Sequence, residues 1–283
     1  MVFDAPAWAS SELNVSEIFN AGITNLRQHN YQEAVVNFTQ VIDRQDDLVG
    51  AAYSNRCLVN LQLQNYGAAQ VDCLEAIADN SDNIEAYLNL GLAYYRQEKY
   101  NDAIAQYQEI IHRKKSDYRA YYNRGLAYFA QENYQNAIAD HRAALMFITD
   151  SNIEAKSLIY NDLALGYMML AEYQPAVLNF ERAIALNKNN YSAYFNRGCA
   201  HHRQEKYELA IRDFSQVIRL RSDWTQAYIS RGILYQKIGQ SEAALRDINI
   251  ALQQYQKQGD RLAYNLVVDL KHQLFNPRPD LLV

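Results

Sequence analysis

Residues 120–145 run AYYNRGLAYFAQENYQNAIADHRAAL, and the pattern returns from Ala193 as AYFNRGCAHHRQEKYELAIRDFSQVI, with shorter relatives from Ala52, Ala86 and Ala227. Nothing else in the chain constrains its fold so tightly. A sequence that copies one unit at a fixed period must build one supersecondary element many times and bury its core by stacking the copies. Counting each unit from position 1, the starts fall at Val15, Gly50, Ile84, Tyr118, Ser157, Tyr191 and Thr225, with spacings of 35, 34, 34, 39, 34 and 34.

The unit is helical. Only 10 Gly and 4 Pro punctuate 283 residues, too few turn-formers for an all-β chain. Position 8 is small in every unit (Gly22, Cys57, Gly91, Gly125, Ala164, Gly198, Gly232), and position 20 is always alanine (Ala34, Ala69, Ala103, Ala137, Ala176, Ala210, Ala244). Small residues facing one another would let two helices of a hairpin approach closely. Tyrosine recurs at positions 4, 11 and 17, which together hold sixteen of the 23 tyrosines.

These five positions, recurring in register over residues 15–258, resemble the tetratricopeptide repeat (TPR). The resemblance implies an all-α fold: a right-handed α-solenoid of about seven TPR helix-turn-helix repeats plus a C-terminal capping helix. The expected organisation is a loose arm at 1–14, repeats at 15–49, 50–83, 84–117, 118–156, 157–190, 191–224 and 225–258, and a capping helix and tail at 259–283. Gly259-Asp260 supplies a stop and an N-cap, Leu262, Leu266, Val267, Leu270 and Leu274 recur at helical spacing, and Pro277-Arg278-Pro279 ends the helix. The proline usual near position 32 is absent throughout, which predicts less stiff loops between repeats. Five extra residues at 150–156 either lengthen the second helix of the fourth repeat or loosen the turn after it.

One internal correlation predicts contacts. Position 7 is arginine in four units (Arg56, Arg124, Arg197, Arg231), and in those units position 23 is aspartate (Asp72, Asp140, Asp213, Asp247). Where position 7 is Leu90, Leu163 or Ala21, position 23 is Gln106, Asn179 or Asn37. The match predicts structural salt bridges between the two helices, helix A and helix B, of each of those repeats.

In this family helix A lines the concave face, and positions 2, 5, 6, 9, 12 and 13 point into the groove. Position 6 carries Asn20, Asn55, Asn89, Asn123 and Asn196, interrupted by Asp162 and Ser230. An amide both donates and accepts, so such a row suits the backbone of an extended peptide, as in other peptide-binding members; the competing reading is that each Asn bonds a neighbouring helix. Around the row stand Leu92, Tyr95, Tyr122, Phe129, Met168 and Phe195, either ligand contacts or packing between A helices. Position 13 adds Arg27, Arg96, Arg203 and Lys237, available to acidic groups on a partner or simply solvated. The family's carboxylate clamp needs Lys or Arg at positions 2 and 6 of one unit. Arg119 stands at position 2, but Asn123 follows at position 6, so no chaperone-tail adaptor is expected.

The residual chemistry is sparse. Residues 1–50 carry the whole formal charge of −5, the rest balances, and no basic stripe suits a phosphate backbone, so neither nucleic-acid binding nor RNA recognition is expected. No signal peptide, anchor or apolar run of spanning length is found. Cys199 and His202 lie one helical turn apart, but two ligands do not close a metal site. Cys57 and Cys73 fall at facing positions 8 and 24, expected as a buried pair of reduced thiols, and Arg113-Lys114-Lys115 is a solvated charge run. No nucleophile or phosphate-loop motif occurs.

The expected function is therefore a cytoplasmic, non-catalytic protein-interaction scaffold or adaptor, possessing neither catalytic residues, metal nor cofactor and inserting in no membrane. It would bind an extended or helical segment of another protein in its groove, as in an assembly factor. The alternative is a regulatory or substrate-recruiting subunit of an enzyme complex.

Overall fold

The computed structural model describes residues 14–275, which form fifteen α-helices and no strand. They are α1 (Val15–Arg27), α2 (Tyr31–Asp43), α3 (Val49–Gln62), α4 (Tyr66–Asp79), α5 (Ile84–Arg96), α6 (Tyr100–Arg113), α7 (Tyr118–Ala130), α8 (Tyr134–Phe147), α9 (Ile153–Met169), α10 (Tyr173–Leu186), α11 (Tyr191–Arg203), α12 (Tyr207–Leu220), α13 (Thr225–Lys237), α14 (Ser241–Gln258) and α15 (Arg261–Phe275). Odd-numbered helices through α13 are helix A of a repeat and even-numbered ones helix B. Two compact units part between Asn133 and Tyr134: the first holds α1–α7, the second α8–α15. In each, every helix packs on the next, the order of a helical solenoid. Successive A helices also touch directly, α1 to α3, α3 to α5 and α5 to α7 in the first unit and α9 to α11 in the second.

The close approach within a hairpin rests on position 24. A Cβ placed on Gly22 would lie 2.7 Å from Phe38 Cε1, on Gly91 2.5 Å from Tyr107 Cε1, and on Gly198 2.8 Å from Phe214 Cε1. The glycine of helix A is thus the seat for a ring of helix B. This corrects the expectation of two small residues face to face, although the position-20 alanines are all fully buried. In the fourth repeat position 24 is His141, also fully buried. In the second, the seat and its ring become Cys57 and Cys73, joined in a disulfide with the Cα atoms 5.4 Å apart. The expected reduced thiols are therefore wrong. Facing positions in one hairpin already meet the span a disulfide needs.

Each A-to-B turn has one geometry. The backbone N–H of position 16 donates to the carbonyl of position 11 in all seven repeats, from Asn30 to Asn25 (2.9 Å) through Gln240 to Tyr235 (2.8 Å). Position 15, between them, has positive φ throughout. This is the Schellman ending, whose left-handed residue is normally glycine. Here only Gly239 is; the others are His29, Gln64, Glu98, Glu132, Ala171 and Glu205.

Loops between repeats manage without proline. Asn83 accepts from the Ala86 N–H (3.0 Å), starting α5, and its amide donates back to Ser54 Oγ on α3 (3.3 Å). Asn190 does the same with Ala193 N–H and Ser157 Oγ, and Ser157 donates to the Ala183 carbonyl. One side chain caps the next helix and ties the loop to helix A of the repeat before.

Arginine and aspartate meet where the correlation put them. Arg56 Nε and Nη2 bind Asp72 at 3.0 and 2.7 Å, Arg197 binds Asp213 at 2.9 and 2.6 Å, and Arg231 binds Asp247 at 2.7 and 2.8 Å. Arg124 lies in the first unit and Asp140, buried, in the second. The arginines also reach backwards: Arg56 Nη1 donates to Thr39 Oγ1 and Arg231 Nη1 to Ser215 Oγ, both 2.8 Å, and Arg124 to Gln108 Oε1. All three acceptors stand at position 25 of the preceding repeat. One guanidinium therefore joins three helices.

The five-residue insertion follows neither expected course. α8 keeps 14 residues, and α9 instead grows to 17 by adding a turn at its start. Gly259 ends α14 at φ 72°, Asp260 Oδ1 accepts from the Ala263 N–H, and α15 follows, packed on α14 and α13 through buried Val267 with Leu270 and Leu274. Leu262 and Leu266 remain exposed. The expected arm before Asn14 and the Pro277-Arg278-Pro279 stop lie outside the described residues.

Three outcomes are expected. Ala171→Gly, relieving a left-handed alanine, raises the stability read from urea unfolding by about 1 kcal/mol. Asp213→Ala, leaving a guanidinium partly buried without its carboxylate, costs about 2–3 kcal/mol in the same measurement, whereas Glu242→Ala, removing an exposed pair with Arg246, changes it by less than about 0.5 kcal/mol. Burial pushes the His141 imidazole from 6.5 down to about 4. Between those values the unfolded chain binds a proton that the fold refuses, so stability falls as pH drops from about 6.5 towards 4, by at most about 3 kcal/mol, and then levels off. Thermal unfolding of His141→Phe shows a shallower slope across this range, the remainder coming from His201 and His202, whose imidazoles burial also lowers.

Candidate interaction surface on the A helices

The first unit brings four A helices side by side, and with them Asn20 on α1, Asn55 on α3, Asn89 on α5 and Asn123 on α7. One residue type at one helical position of successive helices makes a row across the face. Asn20 is exposed and Asn55, Asn89 and Asn123 are half-buried. Asn55 donates to the Ala51 carbonyl one turn back (2.8 Å). The side chains of Asn20, Asn89 and Asn123 hold no hydrogen bond among the described residues. Here the amides are not consumed by neighbouring helices.

Leu92, Tyr95, Tyr122 and Phe129 share this unit. Leu92 packs against the core around Cys57 and Leu90, and Tyr95 against the core around Tyr107, its ring 5.6 Å from Tyr100. All four stay half-buried, so each is both packing and accessible wall. At position 2, Arg119 is held by Asp117 (Nη2–Oδ2 2.9 Å) and, across to α5, by Glu85 (Nη1–Oε1 2.7 Å). Burial pushes the Asp117 carboxyl up, but the bonds from Arg119, helped by Lys114, leave it below the usual carboxylate range. These two acids therefore neutralise the one cation at position 2. Arg27 and Arg96, at position 13, are exposed and make no ion pair among the described residues.

A cavity of about 380 Å³ opens between α3 and α5, lined by Leu61, Gln62, Gln64, Tyr66, Leu92 and Arg96. Leu92 reaches it from helix A, as its position in the repeat allowed. The contributions of Gln64 and Tyr66, from the turn and the start of helix B, were not legible, because family groove positions belong to helix A.

The second unit holds Met168, Phe195 and Asn196, in different surroundings. Asn196 Nδ2 donates to Asn161 Oδ1 on α9 (3.3 Å), whose own amide donates to Asp162, so here the amide does bond a neighbouring helix. Phe195 is wedged against Phe214 and Trp224, with centroids 5.4 and 6.3 Å away, and Met168 packs on the core around Phe180. His202 does lie beside Cys199 on α11, but among the described residues no three His, Cys, Asp or Glu side chains are placed to hold a metal. Burial pushes the Cys199 thiol up to about 11, far from a thiolate nucleophile. No described helix is long and apolar enough to cross a membrane.

The tetratricopeptide repeat profile matches residues 88–152 and again 191–223. No curated protein sequence matches the chain. Among solved structures, a tetratricopeptide repeat protein from Parabacteroides merdae is similar over 90% of this chain and 98% of its own, with TM-score 0.67 and 18% identity. PilF of Pseudomonas aeruginosa is similar over 79% and 98%, with TM-score 0.66 and 18% identity. YrrB, described as a TPR protein with an unusual peptide-binding site, is similar over 70% and 97%, with TM-score 0.56 and 22% identity. Such identities speak to fold alone, and the two matched segments are tetratricopeptide repeats, in keeping with the hairpin that recurs along the chain.

Proposed function

We propose that the chain is a non-catalytic scaffold whose first unit binds an extended segment of another protein across α1, α3, α5 and α7. The observation that carries this reading is the row of unengaged amides at Asn20, Asn89 and Asn123. A half-buried amide left without a partner costs free energy, and an incoming peptide backbone offers both the donor and the acceptor it needs. An extended segment fits better than a helix, because a helix satisfies its own backbone and would leave the row unused. Half-buried Leu92, Tyr122 and Phe129 supply apolar contact beside it. The peptide-binding site ascribed to YrrB, similar in fold, is in keeping with this use. α15 is read as the cap of the second unit, since it lies where the A helix of a further repeat would pack.

The test uses peptides recovered from a random peptide display library on the full-length protein. Asn89→Ala/Asn123→Ala weakens them at least roughly tenfold by fluorescence anisotropy, with thermal unfolding unchanged, while Asn196→Ala has no effect. Equal binding by the double variant and the wild type overturns the reading.

A further inference from the structure

The cavity between α3 and α5 differs from the rest of this face in what its rim leaves open. Most of its lining is polar, and the apolar share comes from Leu61, which is buried, and from Leu92 and the Tyr66 ring, which are half-buried. Its rim is Gln62, Gln64 and Arg96, all exposed, and none of their side chains holds a hydrogen bond or ion pair among the described residues. Arg27 is equally unpaired among the described residues but does not line this cavity, and the remaining arginines of the unit differ. Arg56 serves Asp72 and Thr39, Arg113 serves Asp82 and Glu109, and Arg119 serves Asp117 and Glu85. Arg96 presents its planar fork of donors to the cavity mouth, and that fork matches a carboxylate in bidentate geometry.

We infer that the bound segment places an apolar side chain on the floor formed by Leu61, Tyr66 and Leu92 and the carboxylate of an adjacent Asp or Glu against Arg96. This rests on the reading of the A-helix face as a peptide groove. A volume of about 380 Å³ takes one or two side chains, not a folded ligand. The floor offers a charge nothing, so the acid stays at the rim and its neighbour fills the cavity. Gln62 and Gln64 add amide donors to the same rim. A polyanion is the wrong occupant, because residues 14–133 carry 15 acidic against 10 basic side chains. The field of the unit repels dense negative charge, while a single carboxylate in contact with Arg96 is within the ~8 Å over which salt leaves an interaction unscreened.

The same display selection decides the matter, run on the wild type and on Arg96→Gln and Arg96→Glu. Wild-type binders are expected to be enriched in Asp or Glu next to Leu, Ile, Val or Phe. Their affinity falls roughly tenfold in Arg96→Gln, and an acid-to-lysine exchange in the peptide restores binding to Arg96→Glu. Binders without the acidic residue, or binders indifferent to Arg96→Gln, overturn the inference. If those binders still fail on Asn89→Ala/Asn123→Ala, the groove stands and the pocket assignment is wrong. Insensitivity to both sets of substitutions, or no binders at all, removes both.

Discussion

The hairpins of the first, third and sixth repeats depend on a ring of helix B resting where helix A has no side chain. Phe38 on Gly22, Tyr107 on Gly91 and Phe214 on Gly198 leave less than 3 Å for any added carbon, so the distance between the helices of a hairpin is set by an aromatic face against backbone. With that distance fixed, the alanine at position 20 can be buried completely, and the arginine at position 7 meets the aspartate at position 23 with both oxygens. Glycine inside a helix costs about 1 kcal/mol against alanine. The packing it admits is worth more, because a displaced ring would open a cavity along the whole hairpin.

The second level of order is between repeats, and it is polar. Arginine at position 7 crosses to position 25 of the repeat before it, and asparagines in the loops hold both the helix they cap and helix A of the repeat they leave. These contacts add little in energy where partly solvated, yet they are directional, and direction is what a stack of similar apolar faces lacks. Within the first unit α1, α3, α5 and α7 touch in succession, and across them the amides of Asn20, Asn89 and Asn123 come to stand in a row.

Much of this was legible in the sequence because it is periodic. Position 8, position 20, the tyrosine columns and the Arg–Asp match recur, and recurrence in register is a packing statement. Position 25 was equally legible and was overlooked: its residue is Thr39, Gln108, Glu181 or Ser215 ahead of an arginine, and Leu74 or Arg142 ahead of a leucine. What escaped was of other kinds. The left-handed turn residue leaves no trace when Glu98, Glu132 or Ala171 replaces glycine, since backbone geometry imposed by two helices overrides propensity. The extra turn of α9 could not be placed, because an insertion in helix-forming residues fits either neighbour. Cys57 and Cys73 stand at facing positions in the sequence, but facing positions do not distinguish two thiols from a disulfide. The divergence of the two units was hidden too: Asn196 matches Asn123 in register, and only the presence of Asn161 on the adjacent helix decides that its amide is engaged.

The bond between Cys57 and Cys73 gives the first unit a property that its other hairpins lack. A linear array pulled from its ends yields repeat by repeat, since each contacts only its neighbours. The 16-residue span closed by this bond cannot be drawn out even when every hydrogen bond in it has gone. At about 3.4 Å for each extended residue, roughly 50 Å of tether length is withheld from the chain. Under tension the second repeat behaves as a covalent knot in an otherwise extensible string, and α3 stays beside α4 on any path by which the wall is dismantled and rebuilt.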